Sequence, residues 1–174
     1  MDVYTYGEQI VLTDVTATPE PITLTEVKAG LNMPLSITVH DSELTRLITS
    51  CRMAAESARQ VNLIPERGVK VAWQQFNGDA ALPYCPLKSG TSVTVTDLKD
   101  VAIDESQYTL TNLEGFCLFE GVFPYGVKLS YTSQSATITA QVKDALIRSV
   151  GACFEQKVKI SDVVNEQFRG IYFK

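Results

Sequence analysis

The hydrophobic period of this chain changes twice, and that limits its fold more than any other feature. Over 41–61, Leu44, Leu47, Ile48, Cys51, Ala54, Ala55, Ala58 and Val61 recur at steps of three and four, the spacing that lines up side chains on one face of an α-helix. From Gly68 to about Thr137 the period falls to two and turn residues recur every few positions, the pattern of short antiparallel strands. Over 139–157 the helical spacing returns, with Val142, Ala145, Leu146, Val150, Cys153 and Phe154 in one stripe. A β segment is thus set between helices. The fold class that follows is α+β: a small helical bundle from 23–65 and 138–157, an inserted antiparallel β subdomain over 66–137, an extended N-terminal arm over 1–22 and a C-terminal tail over 158–174.

Local signals sharpen the boundaries. Thr23-Leu24-Thr25-Glu26 fits a capping box, so a short helix carrying Leu24, Val27 and Leu31 starts there and ends near Asn32, because Pro34 forbids continuation. The long helix starts at Asp41 or Ser42, either of which can cap it, and Ile64-Pro65 closes it. Glu43, Arg46, Arg52, Glu56 and Arg59 fall mostly off its apolar face. Strands are predicted over 69–76, 92–97, 107–111, 116–119 and 127–131, with turns at Asn77-Gly78-Asp79, Leu98-Lys99-Asp100, Asn112-Leu113-Glu114-Gly115 and Pro124-Tyr125-Gly126. Each of the three helical stripes needs a partner, so the helices are expected to pack into one bundle.

Composition then excludes several classes of function. A net charge of -5 argues against a protein that binds nucleic acid by neutralising phosphates, though not against one that DNA merely passes through. Met1 is followed by Asp2 and polar residues and apolar runs are short, so neither an export signal nor a membrane span is expected. Cys51, Cys85, Cys117 and Cys153 are widely spaced, with no C-x-x-C pair and a single histidine, which points to reduced, buried, structural cysteines and away from zinc.

Chemistry is sparse. His40 beside Asp41 has no visible triad partners and reads as part of a helix entry. No phosphate-binding glycine motif is present. The acids Asp97, Asp100, Asp104 and Glu105 straddle a predicted hairpin turn at spacings that fit no metal or hydrolytic motif. Trp73, Phe76, Tyr84 and Tyr108 read as sheet core. No catalytic residue, cofactor or metal is expected, and the chain reads as a non-enzyme. The tail differs from a free end, because Phe168, Arg169, Tyr172, Phe173 and Lys174 cluster near the terminus, and exposed aromatics mark contact sites. These five residues are the candidate interface, docking on the portal or a neighbouring subunit or folding back locally.

Several phrases, in their order and spacing, resemble the head-to-tail connector (adaptor) family of tailed bacteriophages over about residues 20 to 157. One is Pro21-Ile22-Thr23-Leu24-Thr25-Glu26-Val27-Lys28-Ala29-Gly30-Leu31-Asn32, similar to the family's opening capped helix; another is Asp41 through Glu56, with an acid at entry, a Leu-Ile pair, then small residues, Arg and Glu. Leu82-Pro83-Tyr84-Cys85-Pro86-Leu87 before Ser92-Val93-Thr94-Val95, Tyr108 ahead of a strand, and Gly126-Val127-Lys128-Leu129-Ser130-Tyr131-Thr132 before Val142-Lys143-Asp144-Ala145-Leu146 continue the likeness. The resemblance implies a structural virion protein, assembled in the host cytoplasm and placed in the neck. Its partners would be copies of itself in a ring, twelvefold in the family, the portal protein on one side and the next neck or tail protein on the other, with DNA passing through unbound and no membrane involved. The composition also fits a β-rich ligand- or protein-binding module of a soluble cytosolic protein. The helices flanking the β segment separate the two, since an assembly subunit needs them and an isolated module does not.

Overall fold

The computed structural model describes residues 4–14, 19–113 and 116–171. It divides into two compact units, one joining the strands within 4–14 to 65–136, the other joining 19–64 to 137–171. Each has its own apolar core.

The helical unit contains α1 (Leu24–Gly30), α2 (Asp41–Arg59), α3 (Ala140–Gln156) and α4 (Ile160–Gln167). The capping box is present: the Thr23 hydroxyl accepts the Glu26 N–H at 3.2 Å while the Glu26 carboxylate accepts the Thr23 N–H at 2.7 Å. Thr139 caps α3 through the Val142 N–H at 3.3 Å. At α2 the expectation is corrected, because neither Asp41 nor Ser42 caps it. His40 holds the N-cap position without a side-chain bond, and Asp41 is drawn instead to Lys28. The helix stops at Gln60, in the left-handed region at φ 53, ahead of Ile64-Pro65.

The three stripes do pack together. Val27 of α1, Leu44, Leu47, Ile48, Cys51 and Ala55 of α2, and Val142, Ala145, Leu146 and Val150 of α3 form one buried cluster, which Ala58, near the end of the α2 stripe, does not join because it is exposed. Gly30 sets the closest approach. A Cβ there would lie 2.5 Å from Ile147 Cγ2, so α1 meets α3 at a distance that only glycine allows.

The stretch read as a tail holds a helix. Ile160, Val163, Val164 and Phe168 recur at steps of three, one and four, so α4 has an apolar stripe of its own, and Val163, Val164 and Phe168 are buried in the bundle core.

The β unit is a sandwich of two four-stranded antiparallel sheets. Its strands are β1 (Tyr4–Tyr6), β2 (Gln9–Asp14), β3 (Glu66–Trp73), β4 (Gln75–Ala81), β5 (Thr94–Thr96), β6 (Tyr108–Leu113), β7 (Phe116–Phe123) and β8 (Val127–Gln134). One sheet has the order β1-β4-β7-β6 and the other β2-β3-β8-β5. The N-terminal arm is extended, as expected, but its described part is not free: β1 pairs with β4 and β2 with β3.

The strand predicted over 69–76 is in fact two, divided at Gln74, where the chain leaves one sheet for the other. Asn77-Gly78-Asp79 is therefore not a turn. It lies inside β4, paired with Val122-Gly121-Glu120, and Gly78 at φ 109 faces Gly121, so the glycine that resembled a turn signal serves a distorted stretch of ladder. The Leu98-Lys99-Asp100 and Pro124-Tyr125-Gly126 turns are where they were expected, the second closed by the Gly126 N–H on Phe123 O at 3.1 Å. Of Asn112-Leu113-Glu114-Gly115, the first two residues end β6 and the last two lie outside the described residues.

Candidate assembly surface

Apart from Glu105, the acids and aromatics singled out in the sequence have structural tasks. Asp97 accepts the N–H groups of Lys99 and Val101 at 2.8 and 2.9 Å, Asp100 pairs with Lys128 at 3.0 Å, and Asp104 accepts the Ser106 N–H at 2.9 Å. The Ser106 hydroxyl, and after it this N–H, lower the Asp104 pKa. Among the described residues no cluster of His, Cys, Asp and Glu is placed to hold a metal. Trp73, Phe76 and Tyr84 are buried in the sandwich and Tyr108 packs against it. His40 sets its ring edge-on to Phe154, with centroids 5.2 Å apart.

The four cysteines are free and buried. Burial pushes the Cys51 thiol up to about 12, with Cys153 beside it adding to the effect, and the Cys85 thiol up to about 11. Both remain protonated at neutral pH and act as small hydrophobes. A shallow cavity of about 400 Å³ on the face of the β2-β3-β8-β5 sheet is lined by Val11, Lys70, Thr94, Thr96 and Lys128, with Asp100 beside its partner Lys128. Asp100, the one acid among the lining residues, is engaged by Lys128.

What the surface does offer is exposed apolar side chains on fixed backbone. Between α1 and α2, residues 34–39 are all exposed, and Leu35, Ile37 and Val39 are 60%, 40% and 78% accessible. The backbone beneath them is pinned. Lys28 is buried, and its ammonium donates to Ile37 O at 2.7 Å and Leu35 O at 3.4 Å while pairing with the Asp41 carboxylate at 2.5 Å. A loop anchored in this way loses little further entropy when it binds. No functional expectation attached to these residues in the sequence, although three apolar side chains at alternate positions after Pro34 are a legible signal.

The predicted interface is divided by the structure. Phe168 is buried in the helical unit, and its carbonyl accepts from the Arg59 guanidinium, so its ring is core packing and not an exposed anchor. The reason is its place at the end of the α4 stripe, next to Val164 one turn earlier. Arg169 is exposed, Gly170 turns the chain at φ 79, and Ile171 is buried. Tyr172, Phe173 and Lys174 lie outside the described residues.

No family model matches the sequence, and no curated protein matches it. Among solved structures, the fold is shared with a chain from the neck of an empty GTA particle, a structure computed with C6 symmetry. That chain is 15% identical, and the match has a TM-score of 0.62 and covers 90% of this chain and 94% of the other. The likeness therefore spans both units. Among the described residues, no helix is long and apolar enough to cross a membrane.

Proposed function

We propose that this chain is a non-enzymatic structural subunit in the neck of a phage-like particle, a head-to-tail connector. On this reading, copies form a ring around the DNA path, bind the portal on one side and meet the next neck or tail component on the other. The observation that carries it is the extent of the shared fold, which takes in the helical unit and the β sandwich and leaves little of either chain unmatched. A twelvefold ring is compatible with the sixfold symmetry of that neck. The net charge of -5 supports a conduit that does not grip DNA, and the pinned apolar loop at 34–39 supports assembly through protein contacts. Arg169, Tyr172, Phe173 and Lys174 dock on a neighbouring subunit or the portal, with Phe168 holding their base in the core.

The test mixes purified protein with portal rings and images the product by negative stain. A ring of this chain stacked on the portal is expected, and its absence at high protein concentration defeats the reading. Truncation after Ile171 removes only the terminal residues and leaves the α4 core packing in place. That variant is expected to keep its melting temperature and lose portal binding; normal binding sinks the docking role of Tyr172, Phe173 and Lys174. Electrophoretic retardation with duplex DNA at physiological salt is expected to be weak, and tight, steeply salt-dependent binding contradicts the conduit.

A further inference from the structure

We infer that the β sandwich joins copies of this chain head to tail, the β6 edge of one pairing with the β2 edge of the next. The inference rests on the ring reading above and names the surface that would build the ring. Two sheets have four edge strands: β1 and β6 in one, β2 and β5 in the other. β1 runs directly into β2, β3 into β4 and β7 into β8, each step crossing from one sheet to the other. The two orders, β1-β4-β7-β6 and β2-β3-β8-β5, therefore stack in register. β1 and β2 lie on one lateral side of the sandwich, and β5 and β6 on the other.

The four edges are not alike. β1 and β5 are three residues long, and β5 is followed at once by the turn that brings Ala102 back to bridge Thr96. β2 and β6 are each six residues long. No strand among the described residues pairs with their outer sides.

Proteins that remain single blunt such edges with Lys, Pro or inward charge, because an unpaired row of N–H and C=O groups invites another strand. β6 reads Tyr-Thr-Leu-Thr-Asn-Leu and has no charge and no proline. β2 reads Gln-Ile-Val-Leu-Thr-Asp, with a single acid at its end. Among the described residues, each side of the sandwich thus keeps one open edge of matching length, and the two open edges sit in different sheets on opposite sides. A surface pair of that kind is heterologous: it leaves one edge of every copy free for another copy, and it ends only when rotation closes the ring. Isologous pairing of one edge with itself would stop at a dimer and leave the second edge exposed.

Proline blocks an edge without a change of charge. Neighbouring residues of an edge strand point their N–H groups alternately inward and outward, and proline is tolerated only where the N–H faces out. Thr109→Pro and Thr111→Pro test one parity of β6, and Leu110→Pro and Asn112→Pro the other; Ile10→Pro, Val11→Pro, Leu12→Pro and Thr13→Pro do the same for β2. On each strand, the variants that keep the wild-type melting temperature are the ones to use. Native mass spectrometry of the wild-type protein at high concentration is expected to show a closed oligomer. A β6-blocked variant and a β2-blocked variant are each expected to be monomeric alone, and an equimolar mixture is expected to give a dimer and nothing larger, because only one compatible pair of edges remains.

If either blocked variant still forms the full oligomer, the edge pairing is wrong while the ring reading stands. If one blocked variant dimerises with itself, the contact is isologous and the head-to-tail inference fails. Should the wild-type chain form no oligomer, either alone or on portal rings, both the inference and the ring reading fall.

Discussion

The two units of this chain solve the same problem in opposite ways. The interior of the β sandwich is aromatic: Trp73, Phe76, Phe119 and Phe123 stand with ring centroids 4.9 to 6.3 Å apart, and Tyr108 joins them from the rim. The helical unit buries the charged Lys28, Arg52 and Glu56, whereas the β unit buries one charge, Arg67, set over the Tyr84 ring. The difference lies in where backbone groups find partners. In a sheet the ladder satisfies them, so the interior is free to be apolar. In the helical unit the connecting segments need help: Lys28 binds the carbonyls of Leu35 and Ile37, and Glu56 accepts the Leu63 N–H at 2.9 Å. Arg52 then balances Glu56 at 2.6 Å and reaches Glu20 at 2.7 Å, so these buried charges tie loops to helices.

Large deletions in each interior test most directly whether the two cores are independent. Phe119→Ala removes the ring against which Trp73, Phe76, Tyr108 and Phe123 all pack, and is expected to cost about 3–5 kcal/mol. Native-state hydrogen exchange should show the loss of protection concentrated in β3, β4, β7 and β8. Uniform loss across both units would mean that the two cores do not act separately.

Glu56→Ala is expected to cost about 3 kcal/mol, the lower end for a broken buried pair, because Glu20 remains beside Arg52. It orphans the Leu63 N–H as well as one side of the guanidinium. The sharper measurement is the double variant Arg52→Met/Glu56→Leu. If the charges matter mainly through the loop they hold, chemical denaturation will still show a deficit of about 1 kcal/mol from the unsatisfied N–H. Full recovery would mean that the pair, and not the loop, sets the cost.

This contrast also decides what could be read from sequence. The capping box at Thr23, the stripes of α2 and α3 and the sheet aromatics were legible because each is a local pattern whose cause lies within a few residues. Arg52 and Glu56 were placed off the buried face because their reason for burial is a backbone N–H beyond the end of the helix, which no periodicity records. Gly78 misled for a related reason, since its local chemistry is that of a turn and its partner Gly121 is 43 residues away. Gln74, the true corner between β3 and β4, has no turn signature. In the candidate interface, the aromatic ending was visible, but not that Phe168 completes the stripe of α4.

Smaller effects compare the devices that end elements in each unit. Thr139→Ala removes the cap of α3, and Asp97→Ala removes the two N–H bonds that close the turn after β5. Each is expected to cost about 1 kcal/mol in thermal or chemical unfolding. A much larger loss at Asp97 would show that the turn, and not the aromatic core, limits the sandwich.

The smallest expected effect depends on pH and lies in the helical unit. Lys143, which donates to the Glu26 carboxylate at 2.8 Å, together with the Thr23 N–H, holds that carboxyl down at about 2 from its ordinary 4.5. A carboxyl with a depressed folded pKa adds stability above its unfolded pKa and loses it as pH falls toward the folded value. The contribution of Glu26 is therefore complete at pH 7, declines below about 4.5 and is gone near 2. Both partners are more than a third exposed, so solvent screening leaves well under about 1 kcal/mol. Glu26→Gln removes the charge while keeping an oxygen that can accept the Thr23 N–H. The melting temperatures of the wild type and this variant should differ by a degree or two at neutral pH and low salt, converge as pH approaches 2, and also converge when salt is added at pH 7. A gap that stays constant across that range would assign the effect to the geometry of the cap and not to the ion pair between α1 and α3.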